Sequence, residues 1–305
     1  MNHFIRNSIY RYNSEYITGI AESDDNIYIY DYDVVITTLD KPTFIFNHPN
    51  DLNITISLST TPTIKKWVYG VMLVEQLRPY MLGYLHSVML KLQEVKNIIF
   101  SRYGIETELV ILTNFEENTH ILEDKKQFVT DIQFKTFFIN YIITDNEQNK
   151  INTFLSSHLT KEYDLGFVGS LSERRKESIR LCEKEGLTVN IIQNMFGDER
   201  DLELAKCKLI MCSHYYDNSS MYPNMRLDRF LFQDVPILCE NCSDTDILDI
   251  KDYVTFTELN DTGIIAKKIL DTVPLIIPEE EKQKIKQQRL NHLKHVKSIL
   301  NDMMR

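Results

Sequence analysis

The stretch Asp164-Leu-Gly-Phe-Val-Gly-Ser-Leu-Ser-Glu-Arg-Arg-Lys176 decides how the second half of this chain folds. A short apolar run ends in small residues. Ser172 then supplies an N-cap, and helix formers continue from Glu173 to about Glu185, where Gly186 stops them. That is strand, turn, helix. Working outward, Leu187 to Ile192 is a β-branched run, Glu199 to Lys206 a short helix, and Lys208 to Ser213 a strand. Tyr222 to Phe232 follows as a helix and Val235 to Cys239 as a strand around Pro236, and the alternation continues through Tyr253 to Phe256 and Gly263 to Leu270. Strands alternating with helices predict βαβ crossovers, and with them a parallel sheet covered by helices on both faces.

The amino-terminal half carries weaker signals. Ile27 to Thr37 and Thr43 to Asn47 read as strands, Thr63 to about Tyr103 as largely helical with an interruption at Pro79 and a stop at Gly104, and Glu108 to Thr113 and Phe137 to Thr144 as strands. Polarity rises between Asn146 and Tyr163, which sets the domain boundary. From Glu279 to Arg305 one helix is predicted, with Ile285, Leu293, Val296, Leu300 and Met303 at helical spacing. The expected architecture is α/β: two Rossmann-like domains with doubly wound parallel sheets, spanning 1–155 and 156–278, and a helix over 279–305 packing across them. Such sheets bind ligands at their carboxyl edges, so function is expected in the cleft.

Composition narrows the chemistry. The chain has 305 residues, enough for two domains with cores of their own. Its 34 Lys and Arg stand against 44 Asp and Glu, a net charge of -10, which disfavours non-specific binding to nucleic acid or an anionic membrane. A bound phosphate must therefore be held by a local site. Met1 to Ile20 lacks the apolar segment of a signal peptide, and no run is long enough to span a bilayer, so no integral membrane segment and a cytoplasmic location are expected. Ala occurs only at Ala21, Ala205 and Ala266, a scarcity that suits an AT-rich genome such as that of a large DNA virus or some bacteria. For a viral protein the location becomes the host cytoplasm or the virion. The 5 cysteines fit reduced thiols, and Cys239-Glu-Asn-Cys242, with no second pair for zinc, reads as inert core cysteine.

Two segments carry candidate chemistry. The turn at Gly169 and Ser170 opens a helix, so backbone N–H groups and the helix dipole favour an anion above it. Arg174 and Arg175 suit that dipole poorly unless a phosphate supplies negative charge; the plain alternative is pairing with Glu173 and Glu177 on a solvated face. The second segment, from Cys212 to Asp228, holds His214, Tyr215, Asn218, Ser219, Ser220 and Arg226 between a strand and a helix. It can hold phosphate and sugar while Arg226 or His214 neutralises developing charge. The plain alternative is a polar capped loop with Arg226 against Glu240.

Taken together, these residues resemble the donor-binding half of GT-B glycosyltransferases. The resemblance covers roughly Asp164 to Phe256: the Gly-Phe-Val-Gly-Ser turn with Glu-Arg-Arg-Lys, then Asn194-Met-Phe196-Gly197 with Glu199-Arg200, then His214-Tyr-Tyr to Arg226, then Val-Pro-Ile-Leu-Cys-Glu240. It implies that Gly169, Ser170 and Arg174 contact the donor diphosphate, that Phe196 and Gly197 lie by the nucleobase, that His214, Tyr215, Asn218, Ser219, Ser220 and Arg226 handle phosphate and sugar, and that Arg175 and Glu240 are further donor-binding residues. Arg226 and His214 are the implied catalytic groups. Two positions depart from the family pattern. Tyr222 and Pro223 stand where many retaining members carry a Glu, and Ser170 stands where many carry an Arg.

The function expected on this resemblance is transfer of a sugar from a nucleotide-diphosphate sugar to a glycan, lipid or protein acceptor, with no metal and no cofactor besides the donor. Two rivals remain: a degenerate GT-B module that binds without turnover, and a GT-A transferase that holds a divalent cation through Asp31 and Asp33, a spacing that Asp244 and Asp246 repeat. His48 and His86 are candidate acceptor-activating bases, with a structural role as the plain alternative.

Overall fold

A computed structural model describes residues 27–30, 35–36, 43–46, 55–56, 66–73, helical positions 90, 93, 96, 97, 100 and 101, then 104, 106–113, 116–124, 133–143, 145–158, 160–195, 197–217 and 221–303. Asp31, Asp33, His48, His86, Phe196, Asn218, Ser219 and Ser220 lie outside the described residues. The chain divides into two compact units, 1–142 with 289–305 and 143–288.

The first unit holds β1 (Ile27–Tyr30), β3 (Thr43–Phe46), β5 (Lys66–Leu73), β6 (Glu106–Thr113) and β7 (Lys135–Phe138) in one parallel sheet, ordered as named. Two short strands, β2 (Val35–Ile36) and β4 (Thr55–Ile56), pair separately in parallel. The segment Lys66–Leu73, expected to be helical, is a strand. It lies between β3 and β6, and its apolar run from Trp67 to Leu73 lacks the alternation that separates a strand from a helix in sequence. Phe137 to Thr144 also differs: the strand is Lys135–Phe138, and 139–143 are not strand. The described strands of this sheet run in chain order, so no strand-order reversal occurs among them.

Leu109, Val110, Ile111 and Leu112 are fully buried, and α1 (Glu116–Asp124) follows β6, with Asn118 Nδ2 donating to Thr113 Oγ1 at 2.9 Å. The last helix, α7 (Glu279–Met303), gives its carboxyl-terminal part to this unit. There Arg289 Nη1 donates to the Tyr141 carbonyl at 2.8 Å, His292 Nε2 to that of Phe138 at 2.9 Å, and Leu293 and Val296 are buried.

The second unit is built on β8 (Tyr163–Val168), β9 (Val189–Ile192), β10 (Cys207–Cys212), β11 (Ile237–Glu240) and β12 (Thr255–Thr257), all parallel, in the order β9-β8-β10-β11-β12. The order reverses between β8 and β10, as in doubly wound α/β sheets. Helices α3 (Glu173–Lys184) and α6 (Thr262–Leu270) pack together on one face, over Leu165, Phe167, Leu209, Met211 and Leu238. On the other face α4 (Gly197–Ala205) sits so close to β8 that a Cβ on Gly166 would meet Leu204 Cδ2 and Cys207 Sγ at 2.9 Å. Further along, α2 (Asp145–Ser157) lies on α4 and α5 (Asn224–Leu231). Buried charges join these three helices: Arg229 pairs with Glu147 at 3.0 Å and Asp201 at 2.9 Å, and Arg200 also pairs with Asp201. Breaking such a pair strands a charge, so the network fixes the placement of α5. The polar stretch 146–163, read as a boundary, is mostly α2, and the compact division falls before it.

Local signals explain the helix ends. Ser172 accepts the Arg175 N–H at 3.3 Å as the N-cap of α3, and Gly186 follows that helix with φ +81°. Gly263 lets α6 approach α3, since a Cβ there would lie 2.2 Å from the Leu181 carbonyl oxygen. Gly263→Ala is therefore expected to destabilise the chain by about 1–3 kcal/mol, the usual scale of overpacking. Urea unfolding checks this; a midpoint equal to wild type contradicts the close approach of α3 and α6.

Candidate functional site

Because the five strands of the second sheet run one way, the carboxyl ends of β8, β10 and β11 open on a single edge. The segments following them, from Gly169, Ser213 and Asn241, meet there at the switch point.

The turn after β8 depends on Gly169, whose φ of +130° suits glycine and whose N–H donates to the Ile192 carbonyl at 3.1 Å. An added Cβ would also stand 3.0 Å from Arg175 Nη1. Arg175 folds back over this turn. Its Nη1 donates to the Ser170 carbonyl and its Nε to the Ser213 carbonyl, each at 2.9 Å, while its guanidinium lies 5.5 Å from the Phe167 ring centroid and 5.2 Å from that of Tyr215. It straps the β8 turn to the β10 loop through cation–π contacts and charged hydrogen bonds.

Arg174 points to the β11 end. Its Nε donates to Glu240 Oε1 at 2.9 Å, its Nη2 closes on the same oxygen, and its Nη1 donates to Asp217 Oδ1 at 2.6 Å. The hydrogen bond to Glu240 holds the Arg174 guanidinium above its ordinary value, against a smaller opposing effect of burial. The pairing with Glu173 and Glu177 weighed from sequence does not form, because Lys176 takes Glu173 and Arg180 takes Glu177, each three residues along the helix. Glu240, counted from sequence among the donor contacts, is buried and directed inward. Its Oε1 receives Arg174 and its Oε2 the His214 N–H at 2.9 Å.

His214 is likewise buried. Its Nε2 donates to the Asn241 carbonyl at 2.8 Å and lies 3.9 Å from Cys242 Sγ. Burial opposes its charge, but hydrogen bonds to the Cys242 sulfur and the Asn241 carbonyl outweigh it, and the imidazole is pushed up to about 9. At neutral pH His214 is thus a fixed cation and donor, suited to charge neutralisation rather than proton abstraction. Arg226, in the first turn of α5, reaches the Val168 carbonyl through Nη1 at 3.4 Å instead of pairing with Glu240. These cations act on one spot: the Cys212 thiol is drawn down by a hydrogen bond from Cys239, then by the charges of Arg226, Arg175 and His214, against the opposing effect of its burial.

The structure thus brings Gly169, Ser170, Arg174, Arg175, His214, Tyr215, Arg226 and Glu240 to one edge. Gly197 opens α4 after β9, which flanks β8 on the side away from β10. Three groups escaped sequence reasoning: Asp217 on Arg174, Asn241 beneath His214, and Asp244, whose Oδ1 accepts the Tyr222 N–H at 3.0 Å. Asp244 signalled itself only as half of an Asp-x-Asp spacing. It holds the residue before Pro223, the cap of α5, while the Arg226 and Leu227 N–H groups donate to the Pro223 carbonyl. Among the described residues no cluster of three or more His, Cys, Asp or Glu is arranged to hold a metal ion. Cys239 is buried as expected, but Cys242 is only part-buried and lies 3.7 Å from it.

No family model matches the chain. It is similar to two uncharacterised proteins of Acanthamoeba polyphaga mimivirus, 33% identical over 132 residues and 31% identical over 126 residues. These matches cover 42% and 40% of this chain but only 15% and 17% of the relatives, so the chain spans a small part of their length. Among solved structures it is similar to a sucrose-phosphate synthase from Thermosynechococcus elongatus, at a TM-score of 0.37 and 8% identity over 86% of each chain. Among the described residues no helix is long and apolar enough to cross a membrane.

The His214 environment has a measurable consequence. Its folded value lies above the ordinary 6.5, so the stability it contributes is complete below about pH 6.5 and is lost as pH rises through about 9. An NMR titration of the His214 ring is expected to show a midpoint near 9 that falls in Cys242→Ser. A wild-type midpoint at or below 6.5 contradicts the assigned hydrogen bonds.

Proposed function

We propose that the second unit binds the diphosphate of a nucleotide-sugar at the switch point between β8 and β10, and that the chain transfers the sugar as a GT-B-type glycosyltransferase. One observation carries this reading: the amino terminus of α3, the Gly169 turn, and the cations Arg174, Arg226 and His214 converge on one sheet edge of a chain whose net charge is -10. Such a local concentration of positive charge needs a specific anion, and a helix amino terminus flanked by guanidinium groups suits phosphate oxygens.

Each group then has a role. The N–H groups after Gly169 and the Arg174 guanidinium receive the diphosphate, which replaces the exposed Asp217 carboxylate on Nη1. Arg226 and protonated His214 stabilise the charge that grows on the leaving diphosphate as its bond to the anomeric carbon breaks. Glu240 and Arg175 position these groups without touching the donor. Fixed cations and helix N–H groups do the work for which other transferases use a divalent ion, so the reading includes neither a metal nor a cofactor besides the donor. The base, the sugar, and a glycan, lipid or protein acceptor are left to the rest of the protein.

The test is release of nucleoside diphosphate from a panel of nucleotide-sugars, in EDTA, for wild type, Arg226→Ala and Arg174→Ala. Arg226→Ala is expected to lower kcat by about 10²–10³ with a smaller loss of donor affinity, as removal of one preorganised donor does. Arg174→Ala is expected to weaken donor binding by about 1–3 kcal/mol, the scale of a charged hydrogen bond. Donor binding with no release by wild type would leave a binding module without turnover, and activity that vanishes in EDTA and returns with manganese would overturn the metal-free mechanism.

A further inference from the structure

The Cys-x-x-Cys pair at the end of β11 touches no donor in that reading, although Cys242 helps keep His214 protonated. Cys239 Sγ and Cys242 Sγ are 3.7 Å apart, within reach of a disulfide of about 2.05 Å if the turn between them shifts. Cys239 is buried, whereas Cys242 is only part-buried. The two intervening residues are the ones that anchor the site. Glu240 holds Arg174 and the His214 N–H, while Asn241 accepts from His214 Nε2 and donates through Nδ2 to Glu258 at 2.6 Å.

We propose that Cys239 and Cys242 form a reversible disulfide whose closure redraws the Glu240–Asn241 turn and so releases Arg174 and His214 from their anchors. A peroxide is the oxidant. The Cys242 thiol gives up its proton, its thiolate attacks one peroxide oxygen, the O–O bond breaks, and Cys242 becomes a sulfenic acid as the other oxygen leaves as hydroxide and takes up that proton to become water. The Cys239 sulfur then attacks the Cys242 sulfur, the S–O bond breaks, and a second water departs. Two thiols lose two protons and two electrons, and the peroxide gains them. A dithiol reverses the reaction by exchange.

The setting assigns these roles. Cys242 lies beside His214 Nε2, and its thiol is held below its ordinary value first by the hydrogen bond from Cys239 and then by His214, against burial. Cys239 is pushed well above its ordinary value by its hydrogen bonds to Cys212 and Cys242 and by burial, as suits the resolving thiol. Cys212 stands opposite Cys239 in the β10–β11 ladder but is buried, so peroxide meets Cys242 first.

The experiment treats the whole chain with hydrogen peroxide and maps the products by mass spectrometry, then measures nucleoside diphosphate affinity and the His214 titration in both redox forms. The expected product is an internal Cys239–Cys242 bond, reversed by dithiothreitol, absent in Cys242→Ser and retained in Cys212→Ser. The His214 midpoint should fall on oxidation. Resting on the donor-site reading, affinity should also drop about tenfold or more. A Cys212–Cys239 bond, a bond between chains, or only sulfinic acid at Cys242 overturns the switch. So does an unchanged His214 midpoint in the disulfide form. A reduced protein that binds no nucleoside diphosphate, yet forms the bond and shifts His214, instead sinks the donor-site reading and leaves the switch standing.

Discussion

A buried carboxylate needs compensating charge and hydrogen bonds, and the site is organised around how Glu240 obtains them. Glu240 closes β11 inside the protein, and its two oxygens draw in the Arg174 guanidinium from the helix after β8 and the His214 N–H from the loop after β10. One charge thereby ties together the ends of three neighbouring strands. Arg175 adds a second tie between the first two loops through the Ser170 and Ser213 carbonyls. Removing Glu240 would leave Arg174 with Asp217 alone, an exposed pair of the kind that contributes under about 1 kcal/mol.

Electrostatic balance decides what such an edge can hold. The chain as a whole repels anions, so long-range steering does not bring a phosphate here. The local arithmetic runs the other way: Arg174, Arg175, Arg226 and protonated His214 face the carboxylates of Glu240 and Asp217, and the α3 dipole adds to the positive side. The departure at Tyr222 and Pro223 also has a physical account. No acidic residue stands in the first turn of α5, and the Tyr222 N–H before it donates to Asp244.

The second sheet was largely legible because its signals are local. Ser172 and Gly186 mark the ends of α3, and the β-branched runs fall within a few residues of β8 to β12. The first unit was less so: Lys66–Leu73 holds an apolar run from Trp67 to Leu73 with no alternation, and a short run of that kind has no period that separates a strand from a helix. At the site, the positions of Gly169, Arg174, His214 and Arg226 were readable, but their partners were not. Arg174 and Glu240 are 66 residues apart, and spacing along the helix offered Glu173 and Glu177 instead. The inward turn of Glu240 toward Arg174 and His214 joins residues far apart in the chain, which no local pattern encodes.

The most direct test of the anion site is a crystal structure of the chain grown with inorganic pyrophosphate, which supplies the diphosphate without choosing a base or sugar. The account predicts pyrophosphate oxygens within hydrogen-bond distance of the N–H groups after Gly169 and of the Arg174 and Arg226 guanidinium groups, with Asp217 displaced. Asp217 still on Arg174 and no pyrophosphate at the β8–β10 switch point would contradict it.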